Sequence, residues 1–111
     1  MAAASDPDRE AMAAIWAEFQ EATLRRVDAI DRAVAALGHG MLPDADRHEA
    51  RTEAHTLAGT TAIFDLRRAS ALAGELELAF GDEVSGLGDL ARLEQLARSL
   101  RRELERKELP P

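Results

Sequence analysis

The sequence predicts an all-α protein, an up-and-down four-helix bundle with a possible extra short N-terminal helix. Three observations predict it. Ala, Leu, Glu and Arg dominate the composition, and all four favour helix. Apolar residues recur at steps of three and four with no two-residue alternation. The glycine- and proline-bearing breaks are short and divide the chain into amphipathic stretches, as antiparallel neighbours in a bundle require.

The first stretch opens at Ser5-Asp6-Pro7, where Ser or Asp can cap and Pro suits the first turn. Residues 1–5 are expected to fray. Met12, Ile15, Trp16, Phe19, Val27, Ile30, Val34 and Leu37 then fall on one face, with Thr23 and Leu24 filling the middle. This stretch fits one long helix, or a short one followed by a long one, and Gly38-His39-Gly40 ends it. A second helix is expected from about Pro43-Asp44 to Phe64, with Ala50, Ala54, Leu57, Thr61 and Phe64 inward. The third covers about Leu66 to Phe80, with Leu66, Ala69, Leu72 or Ala73, Leu76 and Phe80 inward. GDEVSGLGD, with three glycines, is the next loop. The last helix runs from about Leu87 to Leu104 on a stripe of Leu87, Leu90, Leu93, Ala97, Leu100 and Leu104, and Pro110-Pro111 closes the chain.

One core suffices for 111 residues, so residues 1–111 read as a single helical domain. Apolar residues at 46% and charged residues at 32% describe a globular chain. Aromatics are only 4%, so the core is mostly aliphatic. A net charge of −7 argues against a nucleic-acid partner, which needs a basic face. The absence of cysteine removes disulfides, thiolate metal sites and a thiol nucleophile. MAAASDPDRE has neither a basic region nor an apolar run, so no signal peptide is expected. No stretch reaches the ~18 apolar residues of a membrane span. A cytoplasmic location with no membrane partner is the expectation.

The stretch EAHTLAGTTAIFDL, Glu53 to Leu66, places weak helix formers beside a histidine. At about 100° per residue, the inner residues of this helix cluster near −140° from His55. His55 therefore points outward. Its surface neighbours are His48, Arg51, Thr52, Ala58, Gly59 and Ala62. Those within one turn are small apart from Arg51, so a partner can approach the ring closely.

His55-Thr56-Leu57-Ala58-Gly59, followed by some twenty helical residues and Leu76-Glu77, resembles the histidine-containing phosphotransfer (HPt) domain, whose pattern is A-H-x-L-K-G on a four-helix bundle. The resemblance implies that His55 is the phosphoacceptor of a phosphorelay. It implies as partners a response-regulator receiver domain and a histidine kinase or hybrid kinase. Gly59 then leaves room for docking, with His48, Thr52, Ala58 and Ala62 around it. Two residues depart from the pattern: the lysine position holds Ala58, and a later glycine position holds Asp65. Arg51, one turn before His55, is expected to replace the lysine, with Arg67 or Arg68 leaning over from the next helix. No cofactor is expected in this chain, since Mg²⁺ would come with the receiver.

Neutral imidazole is nucleophilic near pH 7, and phosphoryl transfer rests mainly on positioning and charge stabilisation. Gly59-Thr60-Thr61 is not a nucleotide-binding P-loop, which needs G-x-x-x-x-G-K-[ST]. The chain is thus expected to be an intermediate without autokinase activity. HEARTEAH places His48 and His55 seven residues apart, roughly 10 Å along a helix and too far for one ion, so no metal site is expected. The rival reading is a degenerate HPt bundle, a helical interaction module that is never phosphorylated.

Overall fold

A computed structural model describes residues 7–81 and 86–106, with the side chains of residues 86–88 outside that description. Four helices follow one another: α1 Pro7–Gly38, α2 Asp44–Ile63, α3 Arg67–Ala79 and α4 Gly86–Leu104. No strand occurs among the described residues. α2 packs on α1 and α3, and α4 packs on α3 and returns to α1. Sequence neighbours are thus spatial neighbours in a closed up-and-down bundle.

The possible extra N-terminal helix does not separate. α1 is continuous over 32 residues, or about 48 Å. The expected fray at 1–5, the Pro110-Pro111 close and the core place of Leu87 lie outside the described residues. Two expected core positions of α1 are open instead: Ile15 is 42% and Phe19 50% exposed. They stand at the edge of the seam that Trp16, Thr23 and Val27 take.

Chain ends of helices explain the tight corners. Gly40 has φ +69°. There Met41 N–H bonds to the Ala36 carbonyl and Gly40 N–H to Leu37, a Schellman cap. α2 ends the same way, with Leu66 N–H on Thr61 and Asp65 N–H on Ala62. Here the left-handed residue is Asp65, φ 58°, the position where the family pattern has glycine. Asp is among the few residues that enter this region at modest cost.

Trp16, Val27, Ile30, Leu57, Leu76, Phe80, Leu93, Leu100 and Leu104 are fully buried. Trp16 meets Phe64 edge-on, ring centroids 5.1 Å apart, a favoured aromatic geometry. The two buried threonines return their hydroxyls to their own helix, Thr61 to the Leu57 carbonyl at 2.7 Å and Thr23 to Phe19 at 3.0 Å. No buried polar side-chain atom among the described residues lacks a partner. α1 also closes the end of α4. Gln20 donates to the Leu104 and Arg106 carbonyls, and Trp16 Nε1 to Arg106. Higher up, Arg101 of α4 holds Asp28 and Asp31 of α1. These hydrogen bonds, to Asp31 and then Asp28, raise the guanidinium pKa.

Candidate functional site

The inward stripe of α2 decides where His55 goes. Ala50, Ala54, Leu57, Thr61 and Phe64 are buried, so the opposite side of the helix meets solvent. The His55 side chain is 74% exposed. Gly59 and Ala62 are exposed beside it, and Ala58 is half-buried. A Cβ added at Gly59 would meet nothing within 4 Å. Neither packing nor backbone conformation within the chain requires a glycine there, although it costs about 1 kcal/mol of helix propensity against Ala.

The ring is not alone. His55 Nδ1 lies 2.9 Å from Glu77 Oε1, contributed by α3. An ionised carboxylate only accepts, so Nδ1 is the donor and carries the hydrogen. The neutral ring then has its lone pair on Nε2. The Glu77 side chain is 27% exposed, turned toward α2. The pair is 22 residues apart, so only the α2–α3 packing reveals it.

The expected cations fall in two groups. Arg51 is exposed one turn before His55, and no ion pair or hydrogen bond holds its side chain among the described residues. Arg67 pairs with Asp65 at 3.1 Å, and Arg68 with Glu103 of α4 at 3.1 Å. Both stand nine or ten residues before Glu77 on α3, about 14 Å along the axis. The α2–α3 corner therefore carries them away from His55, where the sequence reading had leaned them toward it.

His48 lies two turns before His55 and is engaged. Its Nε2 is 3.3 Å from Arg47 Nη2 and 3.4 Å from Asp44. Arginine only donates, so neutral His48 accepts from Arg47, and protonated His48 gives to Asp44 instead. The Asp44 pKa is lowered, first by its hydrogen bond to Arg47 and then by that residue's charge. Thr52 turns its hydroxyl back to the His48 carbonyl. Among the described residues no group of three or more His, Cys, Asp or Glu could hold a metal ion.

A family model described as the Hpt domain matches residues 14–109. The chain belongs to the HPt domain family. No curated protein and no solved structure matched it. Members of this family are phosphotransfer modules of two-component phosphorelays that interact with kinases and receiver domains. No helix among the described residues of this HPt domain is long and apolar enough to cross a membrane.

The HPt surface around His55 also has an apolar side that the sequence reading missed. Ile63, two turns beyond His55 on the outer half of α2, is 74% exposed. The Arg26–Glu53 ion pair and the Trp16–Phe64 contact set α1 against α2. Phe19 and Ile15 stand seven and eleven residues before Arg26, on the same stripe of α1. They therefore border the C-terminal turns of α2. In the sequence Ile15 and Phe19 fall on the same apolar face of α1 as its core residues, and periodicity alone assigns them to the core.

Proposed function

We propose that His55 accepts a phosphoryl group from the aspartyl phosphate of a receiver domain, or from a kinase, and passes it to a receiver aspartate. The observation that carries this is the exposed imidazole whose Nδ1 donates to Glu77, which leaves Nε2 as the nucleophile. Nε2 attacks phosphorus, forming the N–P bond as the bond between phosphorus and the aspartyl oxygen breaks. The aspartate leaves as a carboxylate. The Nδ1 hydrogen remains in place, so the ring becomes a phosphoimidazolium, and the Glu77 carboxylate lies against that new positive charge. A cationic ring is also a good leaving group for the return step.

Arg51 stands in for the missing cation at Ala58 and offsets the like charges of Glu77 and the phosphoryl oxygens. Thr52, Ala58, Gly59 and Ala62 form the close-approach surface. Ile63, Phe19 and Ile15 extend it toward α1. A standard interface covers about 800 Å² per partner, so a domain centred on His55 reaches Ile63, some 12 Å along the helix. Mg²⁺ would come with the receiver. With no nucleotide-binding loop in its sequence, the chain serves as an intermediate and not as a kinase.

The test is incubation with a phosphorylated receiver domain. Acid-labile, alkali-stable phosphate is expected on this chain, mapped to His55 and absent from His55→Gln. Receiver binding without any phosphate transfer would replace this reading with that of an unphosphorylated interaction module.

A further inference from the structure

We propose that Arg47 is a positioning residue for His55, acting through Glu77; the inference rests on the reading of His55 as phosphoacceptor. Arg47 is only 13% exposed, although it lies in the first turn of α2, where arginines usually extend into water. Its guanidinium has five N–H groups, and five contacts are present. Nε and Nη2 reach Asp44 Oδ1 at 3.0 and 2.7 Å. Nη1 reaches the carbonyls of Phe80 at 2.6 Å and Gly81 at 2.7 Å. The second Nη2 position meets His48 Nε2.

The two carbonyls terminate α3. A helix end leaves such groups without partners inside the helix, and here α2 supplies the partner from across the interface. Asp44 orients the fork, and the fork holds α3. A second tether joins the same helices lower down, where Ser70 Oγ donates to the Ala58 carbonyl at 2.9 Å. The His55–Glu77 contact lies between the two. It cannot set the helix register by itself, because a contact with a 74% exposed partner is weak. Glu77 stands one turn before Phe80, so whatever fixes Phe80 against α2 fixes the carboxylate against Nδ1. Arg47 thereby selects the tautomer that leaves Nε2 free. Lysine cannot substitute fully, having three donors on one atom where the arrangement spans four acceptors.

The test needs no partner. The His55 tautomer is read by ¹⁵N imidazole NMR on the free protein, alongside the melting temperature. The wild type is expected in the Nδ1–H form. Arg47→Met should shift the tautomer ratio toward Nε2–H by about threefold to tenfold, the span of one side-chain hydrogen bond. Arg47→Lys should fall between. Glu77→Leu gives the full loss for comparison. With a phosphorylated receiver, Arg47→Met should lower the maximal transfer rate and leave KM unchanged, since the residue is covered. Should Arg47→Met fail to fold, Asp44→Ala takes its place, because Asp44 is exposed and its loss only frees the fork. A wild-type tautomer ratio in the folded variant, with Glu77→Leu shifted, would overturn the proposal and leave Arg47 a structural clasp. An unshifted ratio in Glu77→Leu overturns it as well. Failure of His55 to accept phosphate would leave the tautomer result standing, so the two readings fail separately.

Discussion

Replacing Gly59 by leucine should make the protein more stable and less active. The added Cβ meets nothing within 4 Å, and Gly59 is exposed, so no steric cost opposes the change. The helix gains the propensity difference, about 0.8–1 kcal/mol, part of it through the narrower unfolded ensemble. For a domain of this size that raises the melting temperature by about 4 °C. Function should move the other way. In-line transfer brings nitrogen and phosphorus within about 3–3.5 Å, and displacement by 1 Å can cost about 100-fold. A leucine one turn from His55 stands where the donor must settle, so transfer should fall about 100-fold or more. The assay compares thermal unfolding with transfer from a phosphorylated receiver for this one variant. Wild-type transfer would refute the close-approach reasoning. Unfolding would show that Gly59 serves packing between helices, contrary to the open space above it.

Four further outcomes are expected. Glu77→Gln keeps an acceptor but removes the charge facing the phosphoimidazolium; at this half-open site a loss of about 1 kcal/mol is expected, read as roughly fivefold slower transfer with an unchanged melting temperature. Arg51→Ala should slow transfer or shorten the phosphohistidine lifetime by a similar factor, the usual strength of a charge-assisted contact discounted for exposure; unchanged rates would show that no protein cation assists. Asp65→Gly should raise stability by up to about 1 kcal/mol in denaturant titration by relieving the left-handed backbone, whereas Asp65→Val should lower it. Folding lowers the Asp44 pKa from its ordinary value of 3.8, so the folded chain holds fewer protons than the unfolded one around that pH. Its stabilising contribution is complete above 3.8 and fades as pH falls through the lowered folded value; Asp44→Asn should flatten the acid limb of a stability–pH curve, and an unaltered limb would contradict the Arg47–Asp44 pairing.

Sequence by itself determined the helices, because each is written in local quantities. The 3.6-residue stripe of α2 put Leu57 inside and His55 outside, and turning 100° per residue needs no tertiary information. The breaks at Gly40 and after Phe64 were local too, set by chain-end hydrogen bonds within six residues. Tertiary structure decided what stands next to what. The Glu77 carboxylate on His55 Nδ1 joins residues 22 apart, and the Arg47 clamp joins residues 33 and 34 apart. No periodicity encodes such pairs, since a glutamate on an exposed helix face and one aimed across an interface read alike. Stripe width was misread for the same reason. Ile15 and Phe19 have the spacing of core residues, but α2 and α4 seat on Trp16, Thr23 and Val27, and an apolar residue beside that seam stays in water. Arg67 and Arg68 showed the converse: they are near His55 in sequence, yet the Schellman corner at Asp65 reverses the chain and leaves them at the far end of α3.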